Sequence, residues 1–341
     1  MSSNELRGVV IVNTGSPEAP TPEAVGAYLE QFLSHPRICP MNPKAWSFIL
    51  RHCILPTRSK KSAAKYQTIW TGEGFQFIID HEHIAQAVQE ELQQAGENVL
   101  VRAGMSFGTP AMTDALDELR GAGCRELFVL PLYPQAAFST VGVVEDDLAT
   151  WKKAKGAEDV SCHVINGYSD NPLYVRAIAQ NIRAAGFDAA AGDVLMMSFH
   201  SIPLSDVQNG DTYEMTTHAT CEAVAAELGI GADSWTVGYQ SRFDKEREWV
   251  SPFTDHVFAE LAQRDIAGTL YFVCPNFSVD CLETYYDIPH DIEPAWQVHL
   301  KEAGKAADAV PFSYVPCLNA TPAQVELVSD VLLRAFASEG K

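Results

Sequence analysis

The chain has 341 residues, 47% of them hydrophobic and 20% charged, a balance that excludes a disordered or collagen-like chain and suits two domains of about 150 residues each. Its 44 acidic against 24 basic residues leave a formal charge of -20, which repels phosphate backbones and sets nucleic acid aside as a partner. Eight cysteines, at 39, 53, 124, 162, 221, 274, 281 and 317, include no Cys-x-x-Cys pair, so their spacing argues against zinc or iron–sulfur ligation and for free, mostly buried thiols.

The N-terminal stretch "MSSNELRGVVIVNTGSP" has no basic n-region and no small-residue cleavage site, so a cytoplasmic protein is expected. Its apolar run has the length of a strand, the first of eight predicted over 8–13, 99–103, 126–131, 161–166, 193–199, 235–239, 268–274 and 312–316. Segments of helical period separate most of them, among them 22–33, 81–95, 110–122, 171–185, 213–228, 252–263 and 322–338. This alternation predicts an α/β fold with parallel sheets. His81 and His83 in "DHEH" invite a metal reading, but they fall at an expected helix start, where a solvated polar turn is the ordinary outcome.

Two pairs of strands look related. "VVIVNTGSP" and "VLMMSFHSIP" both end in polar residues and a proline, and "LFVLPLYP" and "LYFVCPNF" both leave a strand through a proline. The offsets differ between the pairs, so a duplication would carry an insertion in the first half, around 35–80. In open α/β sheets the ligand crevice lies beyond the carboxyl ends of the strands, and His200 sits at such an end. A rigidly held ligand-facing histidine and a half-buried histidine satisfied by a hydrogen bond both fit that position.

In "CPNFSVDCLETYYDIPHD", Glu283, Asp287 and Asp291 recur at i, i+4 and i+8 and would line one helix face as a column of carboxylates. A solvated acidic face is the plain alternative. Pro289 argues against a regular surface helix and for an irregular one. No Gly-x-Gly-x-x-Gly or P-loop pattern follows a strand, which sets nucleotide-binding enzymes aside.

Seven ordered blocks, "NTGSPEAPTPEAVGAYLEQFLSHPRI", "LPTRSKKSAAKYQTIW", "LPLYPQ", "SFHSIP", "YQSRF", "VCPNFSVDCLET" and "YVPCLN", resemble the ferrochelatases, which insert ferrous iron into a porphyrin in haem biosynthesis. The resemblance implies two Rossmann-like lobes, 1–165 and 166–317, a C-terminal helix within 318–341 returning to the first lobe, and a porphyrin held in the cleft between the lobes. It also implies that 36–56 is an apolar lip covering the macrocycle; Pro40, Pro43, Lys44 and Arg51 exclude this stretch as a membrane span.

By the same resemblance His200 is the proton acceptor, histidine being a side chain whose free form titrates close to neutral pH, and Glu283 steadies the imidazolium or relays the proton. His200, Glu283, Asp287 and Asp291 then make up the metal site, the outer two as a hydrated path for ferrous iron. Exchangeable oxygen ligands suit a site that must release its metal, whereas a closed sulfur cage would trap it. Arg58 and Lys61 fall on positions near the porphyrin carboxylates, and Thr14 on the position facing the ring after the first strand. Tyr133, Trp249 and Phe277 are candidate walls, each of which core packing would also explain.

Iron is expected as substrate, with no tightly bound cofactor and no iron–sulfur cluster, since only Cys317 follows Cys281. Porphyrin and ferrous iron are the expected partners, and the lip is compatible with peripheral membrane contact. Where many members have Gly-Ser-Pro this chain reads Gly74-Phe75-Gln76, and Ser106-Phe107 replaces an Arg-Tyr or similar pair. Apolar character at that expected rim, with the compact lip, favours protoporphyrin over coproporphyrin. The competing readings are a same-fold chelatase for coproporphyrin, another tetrapyrrole or another metal, and a non-catalytic porphyrin or haem carrier. The presence of both His200 and Glu283 favours catalysis.

Overall fold

Runs such as 9–12 and 194–197 can be this uniformly apolar only in strands covered on both faces, the condition of a parallel sheet with flanking helices. A computed structural model describes residues 5–339 except 243 and 245, and it contains two such sheets. The chain divides into two compact units: one runs up to Gly167 and resumes at Val325, and the other is Tyr168–Gln324.

In the first unit the order is β1 (Arg7–Ser16), α1 (Pro22–Ser34), α2 (Pro43–Ile49), a π-helical turn (Leu50–Ile54), α3 (Leu55–Ile69), α4 (Gln76–Gln94), β2 (Val99–Gly108), α5 (Met112–Gly121), β3 (Glu126–Pro131), α6 (Val141–Lys155) and β4 (Ser161–Val164). The sheet is parallel with order β2-β1-β3-β4. Val10, Val12, Leu127 and Val129 pack against Leu116 and Leu119 of α5 and Val144 and Trp151 of α6. At the end of β1, Gly15 takes φ +102°, and a Cβ there would lie 1.8 Å from the Phe107 carbonyl oxygen. Only glycine lets β1 and β2 approach so closely.

The second unit comprises α7 (Pro172–Ala184), β5 (Val194–His200), α8 (Leu204–Gln208), α9 (Tyr213–Leu228), β6 (Trp235–Gln240), α10 (Thr254–Ala262), β7 (Leu270–Val273), a π-helix (Glu283–Ile292), α11 (Glu293–Glu302) and β8 (Phe312–Val315). Its parallel sheet has order β6-β5-β7-β8, with Met196, Phe258, Phe272 and Trp296 in the core. The last helix, α12 (Pro322–Glu339), sets Phe336 against Phe128 at 4.6 Å and under the Arg7 guanidinium at 4.9 Å.

The two sheets share one strand order, with β1 and β5, and β3 and β7, in corresponding places. These are the strands whose sequences look related. Between β1 and β2 stand α1 to α4 and the π-helical turn, where the second unit places α8 and α9 between β5 and β6. The extra helices of the first unit therefore fall in the segment that the offsets single out.

Helix α2, the π turn and α3 run on without a break from Pro43 to Ile69. Pro43 stands in the first turn of α2, where a missing N–H costs no hydrogen bond, and Pro56 follows the π turn, whose wider spacing relieves the crowding of a proline ring inside a helix. Leu50 is buried and the Trp46 indole donates to the Leu33 carbonyl at 2.6 Å, while Met41, Phe48 and Ile49 are 52%, 65% and 38% exposed. Among the described residues no helix is long and apolar enough to cross a membrane.

Two expectations need correction. His81 is not on a solvated helix start: it lies in the second turn of α4, fully buried, its Nδ1 3.0 Å from the Phe77 carbonyl. His83 is exposed, and residues two apart on a helix do not share a face, so the pair offers no common metal site. Phe75 and Phe107 are likewise buried, Phe75 among Tyr66, Trp70 and Phe77, and Phe107 against Phe32 and His35. They fill aromatic clusters of the first unit and do not form an exposed rim.

Candidate functional site

β5 is the second strand of its sheet, and His200 is its last residue, paired in register with Gln240 of β6. The backbone around it is fastened from several sides. The Tyr213 hydroxyl donates to the His200 carbonyl at 2.9 Å; Ser201 donates its N–H to the Gln240 carbonyl and its hydroxyl to the Val250 carbonyl, each at 2.8 Å. Burial pushes the Tyr213 phenol well above its ordinary pKa, so it stays a donor.

The half-buried imidazole places Nδ1 2.7 Å from the Ser201 carbonyl oxygen. A carbonyl only accepts, so in the neutral ring the proton sits on Nδ1 and Nε2 carries the lone pair. The ring is thereby set up to take a proton on Nε2. Trp249, buried, lies on a segment that pairs with the continuation of β5: Val250 donates to the Ile202 carbonyl at 3.0 Å, and Trp249 bridges Pro203. The Arg247 guanidinium stands 4.8 Å from the Trp249 ring centre.

β7 neighbours β5, and the chain leaving it passes half-buried Phe277 before the π-helix begins at Glu283. The closing N–H of Glu293 reaches the Ile288 carbonyl, an i to i−5 bond. In an α-helix the Pro289 ring would clash with the carbonyl four residues earlier, and the wider π turn relieves that crowding. Glu283 and Asp287 are half-buried and Asp291 is exposed, so the carboxylates step outward along the helix from the protein to solvent. Among the described residues no three His, Cys, Asp or Glu side chains are arranged to hold a metal ion between them.

In the first unit half-buried Thr14 follows the buried run 8–13 of β1, and its hydroxyl meets the Tyr133 hydroxyl at 2.6 Å. Tyr133 follows β3, the neighbour of β1. The fold thus brings these two predicted ring contacts together at the carboxyl ends of adjacent strands, the place where open α/β sheets bind ligands.

A family model described as Ferrochelatase matches residues 6–335. The chain is 37% identical over 330 residues to a ferrochelatase of Vibrio cholerae, covering 96% of this chain and 98% of that one. The chain belongs to the ferrochelatase family. It is also 36% identical to a ferrochelatase of Stenotrophomonas maltophilia over 329 residues, with coverage of 96% and 98%, and 35% identical to one of Escherichia coli over 326 residues, with coverage of 95% and 97%.

Among solved structures, SirB from Bacillus subtilis with Fe3+ superposes with a TM-score of 0.56 at 11% identity, covering 98% of both chains. The sirohydrochlorin chelatase SirB from B. subtilis subspecies spizizenii in complex with cobalt gives 0.52 at 11%, covering 98% of this chain and 97% of that one. At such identity the likeness is one of fold.

The remaining residues assigned through the ferrochelatase resemblance, Arg58 and Lys61, stand three apart in α3 and share a helix face, Arg58 half-buried and Lys61 exposed. Burial lowers the Arg58 pKa from its ordinary value, against a smaller upward pull from Cys39. A desolvated guanidinium of this kind gains from an anionic partner. Sequence reasoning missed Tyr213 and Gln240, which fasten the backbone at His200; Gln240 lies within a ferrochelatase-like block, which was the available signal. Phe243, the last residue of "YQSRF", lies outside the described residues.

Proposed function

We infer that the chain, as a member of this family, is an enzyme of haem biosynthesis that inserts a metal ion into a porphyrin. We propose that His200 is its proton acceptor, taking pyrrole protons on Nε2, and that Glu283 steadies the imidazolium so formed or relays its proton. The observation that carries this reading is the Nδ1 contact with the Ser201 carbonyl, 2.7 Å long, because it commits the neutral ring to the tautomer that general-base work at Nε2 needs.

Asp287 and Asp291 supply a hydrated oxygen path for ferrous iron toward His200 and Glu283, and their graded exposure supports it. Thr14, Tyr133, Trp249 and Phe277 contact the macrocycle, and Arg58 and Lys61 pair with its carboxylates. Iron is the substrate, and no cofactor or iron–sulfur cluster takes part. The protein works in the cytoplasm, and the outward side chains of Met41, Phe48 and Ile49 are suited to the macrocycle or to a membrane surface.

Protoporphyrin is the proposed substrate. With Phe75 and Phe107 assigned to core packing, this choice rests on the apolar lip, since two further carboxylates beneath it would need donors or open solvent. Anaerobic incubation with ferrous iron and either porphyrin, followed in the visible spectrum, tests both statements. Metallation with a higher kcat/KM for protoporphyrin is expected. Absence of metallation overturns the activity, and a tenfold preference for coproporphyrin, about 1.4 kcal/mol, overturns the substrate.

A further inference from the structure

The link between β7 and the π-helix is held more firmly than a connection requires. Asp280, 3% exposed, accepts the Tyr314 hydroxyl at 2.5 Å on one carboxylate oxygen and Asn319 Nδ2 at 2.7 Å on the other, while its own N–H donates to Asn319 Oδ1 at 2.7 Å. Asn319 holds φ +50° and gives its N–H to the Ser278 carbonyl at 3.0 Å; the Ser278 hydroxyl meets that of Tyr168 at 2.8 Å. These bonds tie the chain after β8 to the chain after β7. Buried carboxylates are kept only where their lone pairs are filled in this way.

The next residue uses that anchorage. Cys281 donates its N–H to Thr284 Oγ1 at 2.9 Å, the Thr284 hydroxyl returns to the Cys281 carbonyl at 3.3 Å, and the Cys281 sulfur lies 3.0 Å from Glu283 Oε2. A carboxylate only accepts, so the thiol is the donor. Glu283 has three rotatable side-chain bonds, and a bond to one oxygen restricts them while the second oxygen is left to other partners.

We infer that Cys281 is a positioning residue for metal insertion: fixed by the Asp280–Tyr314–Asn319 tie, its S–H aims the Glu283 carboxylate. The inference rests on the proposed role of Glu283 and deepens it. A thiol is a weak donor, so its loss belongs at the low end of what a hydrogen bond to a charged group contributes. Cys281→Ala is expected to lower kcat about tenfold and leave KM for porphyrin within about twofold. Cys281→Ser, which keeps a donor, is expected to recover most of that loss.

The infrared S–H stretch supplies a readout independent of turnover: Glu283→Gln should move one thiol band to higher frequency, since a neutral amide oxygen accepts more weakly, and no cysteine need be replaced to see it. A Cys281→Ala enzyme with unchanged kcat, a Cys281→Ser enzyme as slow as the alanine variant, or thiol bands identical in wild type and Glu283→Gln overturns the inference, provided Glu283→Gln is impaired. A fully active Glu283→Gln overturns instead the role of Glu283, and the inference with it.

Discussion

His81 offers a quantitative test of how the first unit is packed. Its ring is fully buried in α4 against Phe77, 4.8 Å between centres, with Nδ1 on the Phe77 carbonyl and, among the described residues, no partner at Nε2. Burial lowers its pKa to about 4, against a smaller upward pull from the Phe77 bond. In the unfolded chain the value is near 6.5. Below that pH the unfolded state binds a proton that the folded state refuses, so stability is complete above pH 6.5 and declines as the pH falls toward 4. At about 1.4 kcal/mol per pH unit the difference comes to about 3 kcal/mol, a large share of a typical domain's stability.

His81→Leu, of similar volume, removes the titration and the unpartnered nitrogen together. Urea unfolding of both proteins from pH 7.5 to 4.5 is expected to show the variant close to wild type at high pH and progressively more stable in comparison as the pH drops. Other groups titrate in this range, but they cancel in the comparison. Parallel stability curves would refute the reasoning.

Tyr213→Phe removes the donor to the His200 carbonyl and is expected to cost about 1 kcal/mol in urea unfolding and to lower kcat a few-fold with KM unchanged; an unaltered kcat contradicts a positioning role for that bond. Asp287→Asn and Asp291→Asn are each expected to raise KM for ferrous iron more than KM for porphyrin, measured by varying one substrate at a time, and a change confined to porphyrin would rule the iron path out. Asp280→Ala leaves Tyr314 and Asn319 without their acceptor in a buried setting and is expected to destabilise the protein by about 2 kcal/mol, read from chemical unfolding; a stability equal to wild type contradicts the tie between the segments after β7 and β8.

β1, β3, β5 and β7 were legible because a strand covered on both faces must be apolar along its length; the half-buried edge strands β2, β4, β6 and β8 were legible from short β-branched or aromatic runs between helical stretches. That Glu283, Asp287 and Asp291 share one helix was legible for a similar local reason, since they recur at a helical interval, and Pro289 announces that the helix is not a regular α-helix. His81 was misread because Asp80, Glu82 and His83 around it are polar. The spacing Phe77, His81, Ile84, Val88 marks the buried face of one helix and was the better guide.

Phe75 and Phe107 were expected at a rim from the ferrochelatase resemblance, and only packing reveals the aromatic clusters that take them inward. The tie of Asp280 to Asn319 spans 39 residues, and no local pattern pairs side chains across such a separation. Likewise the tautomer of His200 depends on the turn of the chain at Ser201, a matter of backbone geometry that a strand-end position alone does not specify.

The central claim is that His200 takes the pyrrole protons. It is tested most directly by single-turnover metallation of His200→Ala, mixing protein preloaded with porphyrin and ferrous iron under anaerobic conditions and following the visible spectrum. The account predicts that the variant still binds porphyrin, seen as quenching of protein fluorescence, and that the metallation step slows by about 10² to 10⁴. A His200→Ala protein that metallates bound porphyrin at the wild-type rate would contradict it.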